Sequence, residues 1–262
     1  FRKARPLGKA LFSGNITLMG KDRSELSDRE SAEKIGFVMQ SPDSQTVCDK
    51  VSAELAFGLE SFGVKSGEIQ SRVGEMAAFF GIEPLYDRDI STLSGGQKQL
   101  VALCSVMATD PDILLLDEPT AQLDPVAARE LLGILDRLNK EMGVTIIIAE
   151  HDPEELFDSC DKILYLAKGK TEFFGTPALT AKHFVKNALE GFLPETAKVF
   201  ARLCDDLPLN VRQGRAKLEK LGVTDITKQA VTDTERAEPY ALQCKNLWQR
   251  YEKNSPDILK GC

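Results

Sequence analysis

The residues best suited to chemistry stand at the ends of short apolar runs. Gln40 closes Ile35-Gly36-Phe37-Val38-Met39, Asp117 and Glu118 close Ile113-Leu114-Leu115-Leu116, and Glu150-His151-Asp152 closes Val144-Thr145-Ile146-Ile147-Ile148-Ala149. Two adjacent carboxylates at a buried strand end are costly to desolvate unless a cation or a reacting group uses them. Asp117 is placed to hold a Mg2+ ion, and Glu118, one residue on, to polarise an attacking water. Taken alone, the pair is equally consistent with two solvated acids. His151 is one of two histidines in the chain, and the edge it shares with Gln40, Asp117 and Glu118 raises it above an ordinary surface histidine. His183 has no comparable setting. A fourth segment, Leu93-Ser94-Gly95-Gly96-Gln97, places a good N-cap before a helix predicted over Gln97 to Ala108. Two glycines ahead of a helix let backbone amides approach an anion, and the helix dipole favours negative charge there. A plain loop entering a helix fits the same residues.

The elements that must position these groups are set by periodicity. Apolar runs without polar alternation are the pattern of parallel strands buried on both faces. Between the second and third, Ala127 to Glu141 puts Leu131, Leu132, Leu135 and Leu138 on one stripe, which gives a right-handed βαβ unit. Ligands of open α/β sheets sit at the carboxyl edge, where all three runs deliver a polar group. Asp161 to Gly175 reads as a hairpin. The insert Ser41 to Asp110 is mostly helical, with breaks at Gly63 to Gly67 and Gly81 to Pro84. Short helices are expected over Ala178 to Glu190, Pro194 to Cys204 and Gln213 to Leu221, then a polar linker over Thr224 to Glu238. Ala241 to Trp248 and Ile258-Leu259 read as strands on either side of turn chemistry at Asn254-Ser255-Pro256-Asp257.

Composition limits the classes of function. The 262 residues are 42% hydrophobic and 28% charged, enough for a core and unlike a disordered chain. A formal net charge of -7 argues against nucleic acid as a partner. Six cysteines without a C-x-x-C pair suit a reducing compartment rather than a disulfide scaffold or zinc site. No apolar stretch is long enough for a membrane-spanning helix and no signal peptide opens the sequence, so a soluble cytoplasmic protein is expected.

Together these segments resemble the nucleotide-binding domains of ATP-binding cassette (ABC) proteins over roughly residues 10 to 177. Leu93 to Gln97 matches the family's signature sequence and Ile113 to Pro119 its Walker B strand. Gln40 matches the Q-loop glutamine, Ala121-Gln122-Leu123-Asp124 the D-loop, and His151 the switch histidine. The resemblance implies an α/β fold: a P-loop NTPase-like ABC ATPase core with a helical signature subdomain at about 46–110. It implies ATP and Mg2+ as cofactors, with Glu118, His151 and Gln40 catalytic, and Asp117 and Gln40 at the metal. Ser94, Gly95, Gly96, Gln97 and Asp124 would contact nucleotide, and Tyr251 falls where the family stacks an aromatic on adenine, although a plain strand aromatic explains it as cheaply.

No phosphate-binding G-x-x-x-x-G-K-[ST] occurs. Leu164 stands where Gly169-Lys170-Thr171 would need its first glycine, and Gly8-Lys9 is followed by Ala10. The core is therefore expected to be incomplete at its N-terminus, with one P-loop before Phe1 and another beyond Cys262. The expected organisation is a first cassette over 1–177, a helical extension and linker over 178–237, and the opening strands of a second cassette over 238–262. Gln40-Ser41-Pro42-Asp43-Ser44-Gln45 and Ala56-Phe57-Gly58-Leu59-Glu60 look like the ATPases of energy-coupling-factor importers of vitamins and metal cations. The resemblance thus implies a transporter ATPase at the cytoplasmic face of the membrane, with a second cassette and membrane-embedded subunits as partners. A soluble tandem cassette acting on ribosomes and a regulatory pseudo-cassette without a P-loop are the alternatives.

Overall fold

The computed structural model describes residues 14–151, 153–222, 248–249 and 259–260. The chain divides into two compact units, Phe1–Lys217 and Leu218–Cys262. The first unit opens with a short antiparallel pair, β1 (Thr17–Leu18) and β2 (Lys21–Asp22). It leads to α1 (Asp28–Lys34), which Ser27 and Glu30 start with a reciprocal capping box.

The three apolar runs form one parallel sheet. β3 (Ile35–Val38), β4 (Ile113–Asp117) and β5 (Thr145–Ala149) lie in that order, with Phe37 opposite Leu115 and Leu115 opposite Ile147. This register brings the three carboxyl ends to a common edge. The insert after β3 contributes α2 (Pro42–Gln45), α3 (Val51–Ser61) and α4 (Ser66–Phe80), with breaks where the glycines predict them. One face of the sheet is buried: Val38, Leu114 and Leu116 are enclosed with Val101, Leu103, Cys104 and Met107 of α5 (Gly95–Met107) and Leu131, Leu135 and Leu138 of α6 (Pro125–Met142). Leu55, Leu59, Val73 and Ala77 of the insert join the same core. The other face differs from the two-sided burial expected of continuous apolar runs: Phe37 is 44% and Ile147 56% exposed, with Leu115 between them half-buried.

Local signals fix the boundaries. Pro125 occupies the first turn of α6 and Gly143, at φ 72°, ends it in the left-handed region that glycine enters without a Cβ penalty. β3 lies so close to α5 that a Cβ on Gly36 would stand 2.4 Å from Val106 Cγ1, which excludes any side chain there.

After β5 the chain makes the expected hairpin, β6 (Ile163–Ala167) against β7 (Lys170–Gly175). Of the later helices, α7 (Pro177–Lys186) and α8 (Glu195–Phe200) are shorter than the periodicity suggests, whereas α9 (Val211–Lys220) starts two residues earlier and ends one residue earlier than expected. Phe157, almost fully buried, meets the Phe184 ring edge-on at 6.1 Å and so anchors the segment after His151 to α7. In the second unit, β8 (Trp248–Gln249) and β9 (Leu259–Lys260) pair antiparallel, Trp248 opposite Lys260. Among the described residues no helix is long and apolar enough to cross a membrane.

Candidate functional site at the carboxyl edge of the sheet

The parallel register delivers Gln40, Glu118 and His151 from three strands to one point. Gln40 Nε2 donates to Glu118 Oε2 at 2.7 Å, and His151 Nε2 donates to Glu118 Oε1 at 2.8 Å. Both bonds end on a carboxylate, which makes them short and strong relative to neutral pairs. The Glu118 side chain is 22% exposed and that of His151 91%, so the carboxylate sits within the edge and the imidazole projects from it. Glu118 has φ 45°, a left-handed backbone unusual for a residue with a Cβ. Its amide donates to the carbonyl of Ala149 at 2.9 Å, which continues the β4–β5 ladder one residue past the strand and compensates that conformation.

The α2 segment holds the end of β3, and with it Gln40. Gln45 Oε1 accepts the amide of Met39 at 2.9 Å and Gln45 Nε2 donates to the carbonyl of Phe37 at 3.1 Å, closing the strand. Lys98 pairs with Asp43 at 2.7 Å and ties α2 to α5. The buried carboxylate of Glu54 accepts the amides of Val47 and Cys48 at 3.0 and 2.9 Å, fixing the loop between α2 and α3.

Asp117 lies one residue before Glu118 at the exposed end of β4, opposite Ala149. Among the described residues its carboxylate makes no hydrogen bond or ion pair, and Gln40 spends its amide N–H on Glu118, which leaves the amide oxygen as an acceptor. A carboxylate and an amide oxygen are the hard donors a Mg2+ ion takes, with waters and phosphate oxygens filling the remaining positions. No group of three or more His, Cys, Asp or Glu side chains forms a metal cage among the described residues.

The signature segment is built differently. Ser94 caps α5: its hydroxyl accepts the amide of Gln97 at 3.3 Å, while Gln97 Oε1 accepts the amide of Ser94 at 3.0 Å. This reciprocal pair starts the helix at Gly95 rather than Gln97, so both glycines lie in the first turn instead of ahead of it. The amides of Gly95 and Gly96 stay unpaired by the helix. A Cβ on Gly96 would meet Ala127 Cβ at 3.2 Å and one on Gly95 would lie 3.8 Å from the carbonyl of Gln122, so the signature start sits on the turn between β4 and α6.

Asp124 caps α6 by accepting the amides of Val126 and Ala127 at 2.9 and 3.0 Å, which holds its carboxyl below the usual carboxylate range. In this structure it serves the backbone. Glu150 accepts both the amide and the hydroxyl of Thr120, an anchor with no motif of its own in the sequence; only its place at a strand end beside His151 pointed to it. Tyr251 lies outside the described residues.

A parallel sheet with an acid, an amide and an imidazole converging at its carboxyl edge is the arrangement of an α/β domain with its ligand site at that edge. The sequence profile of the ABC transporter family matches residues 8–121. A putative ABC transporter ATP-binding protein of Bacillus thuringiensis subsp. konkukian is 37% identical over 257 residues, covering 97% of this chain and 46% of that protein. One from Methanosarcina acetivorans is 32% identical over 224 residues, covering 82% of this chain and 67% of its own. Among solved structures, CbiO1 from Clostridium perfringens, part of the ABC transporter complex CbiONQ, superposes with a TM-score of 0.61 at 32% identity, covering 78% of this chain and 76% of that one. A dimeric ATP-binding cassette in a post-hydrolysis state with ADP and Pi superposes with a TM-score of 0.55 at 26% identity, covering 63% and 74%. The chain belongs to the family of ABC transporter ATP-binding proteins. It spans about half the length of the Bacillus relative.

Proposed function

We propose that this chain carries the hydrolysis edge and the signature of an ATPase that drives import through membrane-embedded subunits. The observation that carries the reading is the convergence of Gln40 and His151 on the two oxygens of Glu118. Glu118 acts as the general base that polarises the attacking water, a role worth about 10²–10⁴-fold in rate. Gln40 and His151 hold the carboxylate in a single orientation, and His151, whose side chain is 91% exposed, is free to turn toward the terminal phosphate. With both oxygens engaged, Glu118 is in a resting arrangement, and release of one partner frees an oxygen for water. Bound Mg2+ supplies charge neutralisation at the phosphates, with Asp117 and Gln40 as its protein-side oxygens.

Gly95 and Gly96 present unpaired helix-start amides to the ATP of a second cassette, in the same polypeptide or in a dimer partner, and Ser94 and Gln97, whose amides are taken up by the capping box, offer their side chains beside them. Asp124, through the cap of α6, fixes the turn on which they sit, and Tyr251 of the second cassette stacks on adenine. Residues 1–177 form the first cassette, 178–237 an extension and linker, and 238–262 the opening of the next. The insert docks on the membrane subunits at the cytoplasmic face. The likeness to CbiO1 supports an importer of the energy-coupling-factor type, with a vitamin or metal cation as cargo.

The sequence holds no G-x-x-x-x-G-K-[ST], and on that ground we propose that this chain by itself does not hydrolyse ATP. The test pairs the full-length protein with this chain. ATP turnover by the former, and no heat of Mg-ATP binding to the latter up to millimolar nucleotide, are the expected results. A full-length protein that binds no ATP, or micromolar binding by this chain alone, would overturn the reading.

A further inference from the structure

Three consecutive residues at the end of β5 hold the turn after β4. The carbonyl of Ala149 accepts the amide of Glu118 at 2.9 Å, Glu150 Oε1 accepts the amide of Thr120 at 3.1 Å and its hydroxyl at 2.7 Å, and His151 donates to the Glu118 carboxylate at 2.8 Å. The hydrolysis chemistry uses the third contact and leaves Glu150 without a role. Its position is nevertheless specific. Pro119 has no amide hydrogen, so Thr120 is the first donor after Glu118, and its half-buried amide would be costly without an acceptor.

The turn continues through hydrogen bonds from the Ala121 amide to the Glu118 carbonyl at 3.2 Å and from the Leu123 amide to the Thr120 carbonyl at 3.0 Å, and ends in the Asp124 cap of α6. Its far side meets the signature helix, where Gln122 and Ala127 approach Gly95 and Gly96. The turn is therefore held between the end of β5 and the start of α5, with Glu150 as its side-chain tether to β5.

We propose that Glu150 is a positioning residue that couples His151 to the Thr120–Asp124 turn and, through it, to the signature start at Ser94–Gly96. The inference rests on the ATPase reading above. Consecutive Cα atoms are fixed about 3.8 Å apart, so a backbone displacement at His151, as distinct from a turn of its side chain, is passed to Glu150. Glu150 in turn carries Thr120, and the hydrogen-bonded turn moves as one piece. A change at one cassette's phosphate thus reaches the segment offered to the other cassette's nucleotide. Glutamine keeps the accepting oxygen and preserves the tether; alanine removes it.

The experiment measures ATP turnover and amide hydrogen exchange in the full-length protein. Glu150→Ala and Thr120→Val should each lower kcat about tenfold, the loss of charge-assisted hydrogen bonds, with KM for ATP within about twofold. The double variant should be no slower than the worse single one. Glu150→Gln and Thr120→Ser should recover most of the loss. Exchange over residues 119–124 should rise in Glu150→Ala. Wild-type kcat in Glu150→Ala, losses that multiply in the double variant, or no rescue by glutamine would overturn the coupling. If the wild-type protein hydrolyses no ATP, the ATPase reading fails by itself, and unchanged exchange in Glu150→Ala would separately sink the tether.

Discussion

The carboxyl edge of the sheet and the signature start of α5 are both expected to touch ATP, yet they are assembled by opposite means. The edge is nonlocal: Gln40 reaches Glu118 across 78 residues of sequence, and only the register of three strands brings them together. The signature start is local: Ser94 and Gln97 satisfy each other across three residues, before any tertiary contact. A nonlocal site inherits its precision from the core, so core damage far from it should disable it. A local site tolerates that damage and responds to its own capping groups.

That contrast can be broken most forcefully in the core. Leu114 is fully buried in β4, and Leu114→Ala should cost about 2–5 kcal/mol through the cavity it leaves. Denaturant unfolding should show the loss, and ATP turnover should fall further than stability alone explains as the edge loosens. Turnover that tracks only the folded fraction would mean that the edge does not depend on the strand register.

At the edge itself, His151→Ala should lower kcat about 100-fold, within the range for removal of a positioned catalytic group, with little effect on unfolding because the side chain is 91% exposed. An equal loss in stability would turn His151 into a structural residue and erase the distinction. At the signature start, Ser94→Ala should cost about 1 kcal/mol and Ser94→Gly a few tenths, the pattern of a lost N-cap. Equal costs would show that tertiary contacts, not the capping box, start α5.

The smallest expected effect belongs to Asp124. Its carboxyl is held below the unfolded value by the amides of Ala127 and Val126, so the charged cap contributes above the unfolded pKa of about 3.9 and is lost as pH falls through the lower folded value. Wild type should be slightly more stable than Asp124→Asn near neutral pH, and urea midpoints of the two should converge in acid. A gap that persists at pH 2 would show that the charge of Asp124 does not titrate with folding.

The same division explains what the sequence made legible. Local rules found the capping residue Ser94, the helical stripe of Leu131, Leu135 and Leu138, the glycine stops and the hairpin. The rule that ligands sit at the carboxyl edge placed Gln40, Glu118 and His151 on one side before any distance was known. Beyond shifts in helix ends, two nonlocal features escaped. Unbroken apolar runs suggest strands covered on both faces, but Phe37 and Ile147 face outward, because a run records hydrophobicity and not which neighbour covers it. The Glu150–Thr120 tether was also invisible, since its partners are 30 residues apart and neither belongs to a spacing pattern.

The most direct measurement is ATP turnover by the full-length protein carrying Glu118→Gln, beside nucleotide binding by the same variant. Glutamine keeps the size of the side chain and an oxygen to accept from a neighbour, but it cannot take the water's proton. Hydrolysis reduced at least about 100-fold with ATP still bound is the result predicted for a general base. Turnover at the wild-type rate would contradict it and leave the Gln40–Glu118–His151 cluster as structure alone.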